Sequence, residues 1–255
     1  MTVHAQKGAD TDVASQKSAP TKHERDRFNS KFQAAARFVA QRAILRPVVW
    51  NTLVTVTVRG QENVKDVAGG YVVVANHSSH LDTPLIMGGL PRKLVRYLAA
   101  GAAADYFFDI WWRRGLTALF FNAFPVQRTA GGIRSISAKA LLQRGIPLLV
   151  FPEGTRSKDG NFGQFKPGAA ALASSCNVPC IPVALVGVYL AHPRGTNWPK
   201  RGRLPVGVII GEPMRPLPGE NPVDFTARIK AEITRLRDVN TADILGQKKS
   251  KGAQQ

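Results

Sequence analysis

The sequence predicts an α/β fold: a single domain with a mostly parallel central sheet flanked by helices, plus an N-terminal amphipathic helix. Three observations carry this. Stretches with strand patterning alternate with stretches of helical patterning, the order that builds a parallel sheet with helices on its faces. Residues 71–75, Tyr-Val-Val-Val-Ala, form a short unbroken apolar run, as in a strand buried on both sides. The chain has 255 residues, 44% hydrophobic and 20% charged, which suffices for one sizeable core.

Each element follows in order. Residues 1–22 are polar, lack periodicity and lack the apolar run of a secretory leader, so a disordered tail is expected. From His23, residues Phe28, Phe32, Ala35, Ala36, Val39 and Ala43 recur at helical spacing, flanked by Arg25, Arg27, Lys31, Arg37 and Arg42. Residues 23–46 therefore read as an amphipathic helix that stops before Pro47. It either lies on a membrane or packs on the domain. Val54, Val56 and Val58 alternate with Thr55, Thr57 and Arg59, predicting a strand with one wet face. A strand at 71–75 and a helix at 83–88 follow, Pro84 suiting a first helical turn. Another strand is expected at 94–99. Residues 105–121 read as a helix crowded with aromatics. Strands are expected at 124–127, 147–151, 180–186 and 205–210, and helices at 133–143, 168–175 and 221–238. The domain is thus placed at 47–246, with a basic tail at 247–255.

Composition narrows the partners. Thirty-five Lys and Arg against 17 Asp and Glu give a net charge of +18, which attracts nucleic acid, acidic protein, phosphorylated substrate or an anionic membrane. The basic residues are scattered, and no helix-turn-helix, RNA-recognition or zinc pattern accompanies them, so nucleic acid is not expected. Two cysteines, Cys176 and Cys180, exclude a disulfide scaffold and point to a reducing compartment. The nearly uncharged stretch 47–58 is too short and Thr-rich to span a bilayer.

In parallel sheets, function gathers beyond the carboxyl ends of strands. After the 71–75 strand comes Asn76-His77-Ser78-Ser79-His80-Leu81-Asp82. Five residues are about 140° apart on a helix, so His77 and Asp82 cannot share one helical face. They meet if His77 sits in the turn before the helix and Asp82 in its first turn. Asp82 would then hold one ring nitrogen and leave the other as a base. The alternative is a pair of helix-capping residues. His80 forms a His-x-x-His pair with His77, but no third ligand accompanies it, so no metal is expected. After the 147–151 strand, Glu153-Gly154-Thr155-Arg156 combines close backbone approach, a hydroxyl and a fork for phosphate. Lys166 precedes a helix N-terminus, a natural anion site. Arg128 follows the 124–127 strand in the same way.

These segments resemble the glycerolipid acyltransferases typified by 1-acylglycerol-3-phosphate acyltransferase. The 76–82 segment looks like the family's His-x4-Asp block. Phe124-Pro125-Val126-Gln127-Arg128 is similar to the second block, though it departs from the pattern at Gln127. Phe151-Pro152-Glu153-Gly154-Thr155-Arg156-Ser157 matches the third, and Ile181-Pro182-Val183-Ala184 resembles the fourth. The resemblance covers about residues 50–215. It implies transfer of a fatty acyl group from acyl-CoA or acyl carrier protein to a hydroxyl of a glycerol-phosphate lipid. The implied acceptor is 1-acylglycerol-3-phosphate, with glycerol-3-phosphate, another lysophospholipid or a glycolipid as alternatives. His77 is implied as base and Asp82 as its partner. Arg128, Glu153, Gly154, Thr155, Arg156 and Lys166 are implied to hold the acceptor. No cofactor is implied. The resemblance also implies peripheral attachment to the cytoplasmic face of the cell membrane through anionic lipids. Phe107, Phe108, Trp111, Trp112 and Phe120 would then line an acyl tunnel or touch lipid, or else form a core helix.

Overall fold

The structure, a computed structural model, describes residues 28–103, 120–126 and 135–251. Seven strands form one sheet in the order β1-β7-β6-β2-β5-β3-β4. They are β1 Val54–Arg59, β2 Val72–Ala75, β3 Ala99–Ala103, β4 Phe124–Val126, β5 Leu148–Val150, β6 Cys180–Val186 and β7 Leu204–Ile210. Among the described strands, only the β6–β7 pair is antiparallel. The described helices are α1 Lys31–Ala40, α2 Asp82–Gly89, α3 Arg92–Val95, α4 Ser135–Gln143, α5 Gly168–Ser175, α6 Val188–Ala191 and α7 Pro222–Lys251.

The continuous apolar run of β2 has its predicted consequence. Val72 and Val74 point into a core with α4, α5 and α7, where Leu141, Leu172, Phe225 and Ile229 are buried. Val73 and Ala75 point into a second core with Leu85 and Ile86 of α2 and Val49 of the N-terminal helix. The period-two alternation of strand side chains thus feeds both layers.

The N-terminal helix does not stop before Pro47. Beyond α1 it continues through wide turns at Gln41–Leu45 and Pro47–Leu53, where the N–H of Arg46 bonds Gln41 and that of Val54 bonds Val49. A five-residue repeat widens the helix where an ordinary turn would clash with the proline ring. The strand expected at 94–99 starts instead at Ala99. Pro91 (φ −54°) opens a helical turn, and the N–H groups of Leu94 and Val95 bond its carbonyl. Leu94 and Val95 have strand-like side chains, but the strand is built from the Ala/Gly run that follows. The final helix extends to Lys251, beyond both the expected end at 238 and the start of the expected basic tail at 247. The tail expected at 1–22 and most of the aromatic helix expected at 105–121 lie outside the described residues.

Because β2 and β5 are parallel neighbours, with Val74 level with Val150, the segments after them emerge side by side at one sheet edge. His77 and Glu153 are each three residues beyond this matched pair.

Candidate active site

The turn after β2 is built to hold a histidine. Asp82 opens α2 and is wholly buried. Its Oδ2 accepts from the backbone N–H groups of Ser78 (2.6 Å) and Ser79 (2.8 Å) and from His77 Nδ1 (2.8 Å). An oxygen already accepting two N–H bonds makes Nδ1 the donor, which leaves Nε2 with the lone pair. Oδ1 is buried with no hydrogen-bond partner among the described residues, so Oδ2 carries all three donors. The carboxylate also sits at the positive end of a helix. The imidazole stacks on Phe151, with ring centroids 4.1 Å apart at 16°. About a fifth of the His77 side chain stays exposed.

Long-range contacts brace this turn. The Asn76 amide bridges to the backbone of Leu185, accepting at 2.8 Å and donating at 3.2 Å. The Ser157 N–H donates to the His77 carbonyl at 2.8 Å. Glu153 is buried, and its two oxygens accept from the N–H groups of His77 (2.8 Å) and Gly163 (2.9 Å). Burial raises its carboxyl above the usual range, against the lowering effect of those two hydrogen bonds. The resemblance implied that Glu153 holds the acceptor; in the structure its carboxylate ties the His77 turn to the loop around Gly163.

Two histidines flank the pair. His192 is buried; its Nε2 donates to the Thr196 carbonyl (3.1 Å), so Nδ1 accepts from the Ser79 hydroxyl (2.8 Å). Ser79 Oγ in turn accepts from the Leu81 N–H (3.1 Å). Sequence reasoning missed His192 because it lies 113 positions from Ser79 and belongs to no local pattern. His80 is exposed overall, yet partial desolvation of its ring, with Arg156, His192 and His77 nearby, pushes its pKa down to about 4. Among the described residues no three His, Cys, Asp or Glu side chains gather as metal ligands.

Gly154, Thr155 and Lys166 are exposed and Arg156 is half-buried beside this turn. Gly154 has φ +71°, which favours glycine, and a side chain there would meet Lys166 Nζ at 3.4 Å. The N–H of Lys166 bonds the Pro152 carbonyl, folding the second basic segment back onto the first. Arg194 Nη1 holds the Arg156 carbonyl at 2.8 Å. Arg128, Phe107, Phe108, Trp111 and Trp112 lie outside the described residues. Phe120 is half-buried, its ring 6.2 Å from that of Phe121, and its carbonyl accepts from Gln41 Nε2. Cys180 is buried, which pushes its thiol up to about 12, far from a nucleophile's range.

A base held by a buried carboxylate, beside a segment rich in anion donors, is the equipment for activating a hydroxyl towards acyl transfer. A model of the acyltransferase family matches residues 55–186, and the chain belongs to that family; it is an O-acyltransferase. It is 30% identical over 201 residues to a 1-acyl-sn-glycerol-3-phosphate acyltransferase of Pseudomonas aeruginosa, covering 75% of this chain and 72% of that one. A plant enzyme of the same name, from Limnanthes douglasii, is 27% identical over 213 residues, 81% of this chain and 69% of its own. The fold is similar to the crystal structure of the 1-acyl-sn-glycerophosphate acyltransferase PlsC from Thermotoga maritima, with TM-score 0.62 and 27% identity over 82% of this chain and 84% of that one.

Proposed function

We propose that this chain acylates the free hydroxyl of 1-acylglycerol-3-phosphate, giving phosphatidic acid in phospholipid biosynthesis, with acyl-CoA or acyl carrier protein as donor and no cofactor. The observation that carries the reading is the His77–Asp82 pair with Nε2 left as acceptor.

The acceptor hydroxyl approaches Nε2, and its oxygen attacks the thioester carbonyl carbon as its proton passes to the ring. Asp82 stabilises the resulting imidazolium. The tetrahedral oxyanion collapses, the C–S bond breaks, and the departing thiolate takes the proton from His77. No acyl-enzyme is needed. A positioned base contributes typically ~10²–10⁴-fold. Arg156, Lys166 and Arg128 supply charge for the acceptor phosphate, while Gly154 and Thr155 offer backbone and hydroxyl contacts.

Attachment is peripheral, at the cytoplasmic membrane face. No described helix is long and apolar enough to cross a bilayer. Support comes from the outer side of the N-terminal helix: Phe32 is 82% exposed and Val39 61%, an apolar stripe beside basic residues. Phe107, Phe108, Trp111, Trp112 and Phe120 add acyl-chain or membrane contacts.

The test is an assay of purified protein with labelled acyl-CoA, acyl carrier protein thioesters and a panel of acceptors, products resolved by mass. Phosphatidic acid should dominate for the native chain and vanish for His77→Ala, whose circular dichroism should be unchanged. Near-normal turnover by that variant would sink the mechanism. Arg156→Ala should weaken the phosphorylated acceptor by about 1.5–3 kcal/mol, seen as a raised acceptor KM with the donor KM unchanged.

A further inference from the structure

A cavity of about 700 Å³ separates the inner side of the N-terminal helix from α2 and α3, within the ~300–1,000 Å³ of small-ligand sites. Two chemistries meet in it. Lys31, Arg37, Arg42 and Arg46 reach it from the helix, and Arg92, Lys93 and Arg96 from the α3 side; of these, Arg37 is already bonded to Asn122 and the Arg96 carbonyl. Among the described residues no Asp or Glu lines it. Its remaining walls include Phe38, Leu45, Trp50, Met87 and Leu90.

The cations are arranged rather than scattered. The Arg92 guanidinium lies 3.9 Å from the Phe38 ring centroid, and that of Arg46 lies 4.9 Å from the Trp50 ring. Stacking uses the face of a guanidinium and leaves its N–H edge for anion oxygens. Seven like charges around one cavity repel, and an anion relieves that repulsion.

We propose that this cavity binds the head of one anionic phospholipid drawn from the bilayer. Its phosphate sits among Arg46, Arg92 and their basic neighbours, and its glycerol end lies against Trp50 and Met87. A lipid fits better than a soluble anion because much of the wall is apolar. The same helix also turns Phe32, Val39, Ile44 and Val48 outward, which sets the cavity at the membrane surface. This part rests on the peripheral attachment proposed above. The site is separate from the catalytic turn: no residue of 76–82 or 151–157 lines it. The two are joined by α2, which begins at Asp82 and presents Pro84, Met87 and Gly88 to the cavity about 3–9 Å further along. An occupied cavity clamps the N-terminal helix onto the element that carries Asp82.

The test is calorimetric titration of the full chain with dihexanoyl-phosphatidylglycerol kept monomeric, with dihexanoyl-phosphatidylcholine and inorganic phosphate as comparators. The native protein should bind the anionic lipid in preference to both. Arg46→Gln/Arg92→Gln should weaken it at least about tenfold, the scale of one lost charge-assisted contact. Phe32→Ser/Val39→Ser should bind it as the native chain does. The exposed Arg42→Gln, expected to weaken binding in the same direction, tests the site again should the double variant melt early. Unchanged affinity in a folded arginine variant would overturn the proposal, and so would equal binding of inorganic phosphate. Loss of vesicle co-sedimentation with short-chain binding intact would remove the membrane attachment and leave the cavity standing.

Discussion

Asp82 and His77 divide one task by burial. The carboxylate is wholly buried and fixed by two amides, whereas the imidazole keeps an exposed edge. Asp82→Asn keeps the shape but favours the wrong His77 tautomer, so kcat should fall by up to ~10⁴ with circular dichroism unchanged. His192 acts one layer further out. His192→Ala leaves the Ser79 hydroxyl and the Thr196 carbonyl without their partner, so urea unfolding should report a loss of about 1–3 kcal/mol. His80 makes the acid response legible. Its pKa falls from 6.5 to about 4 on folding, so between those values the unfolded chain binds more protons than the folded one. Its contribution is complete above pH 6.5 and is lost as pH falls towards 4. His80→Gln should therefore flatten the decline of the melting temperature over that window. An unchanged profile would assign the decline to other groups.

The elements around the site depend on close approach. Trp50 lies against α2 because residue 88 is glycine: a Cβ there would come within 2.7 Å of the indole. Gly88→Leu should push the Pro47–Leu53 turns off α2 and cost about 1–3 kcal/mol, measured by denaturant unfolding, with faster proteolysis near residue 50. The N-terminal helix is also where local pattern and tertiary orientation part. Its periodicity marks Phe28, Phe32, Ala35, Ala36, Val39 and Ala43 as one face, the face usually turned to a core. Here Phe28 is buried in the core and Ala36 half-buried, but Phe32, Ala35, Val39 and Ala43 are exposed, and the inner side carries Ala34 and the buried Arg37, whose guanidinium donates to Asn122 Oδ1 (2.8 Å) and the Arg96 carbonyl (3.3 Å). Periodicity reports that a stripe exists, not what it faces.

Across the whole molecule, a charge of +18 and an outward apolar stripe predict two-part membrane binding. Basic residues near an anionic surface contribute about 1 kcal/mol each and are screened by salt. The apolar part is not. Co-sedimentation with anionic vesicles should therefore fall with rising salt to a plateau, and Phe32→Ser/Val39→Ser should abolish the plateau while leaving the low-salt binding. A native curve that falls to zero would leave charge as the whole attraction.

The amino-acid sequence by itself determined the alternating elements, the parallel sheet, the segments after β2 and β5, and the placing of His77 before a helix with Asp82 in its first turn. These rest on interactions within a few residues, or on the rule that parallel neighbours present their carboxyl ends together. Tertiary structure alone decided the rest. Glu153 braces a backbone 76 positions away, His192 reaches Ser79 across 113, and Pro47 is absorbed into widened helical turns. Whether a stripe faces core or solvent, and whether scattered arginines converge on one cavity, depends on how distant segments pack, and spacing along the chain carries no record of that.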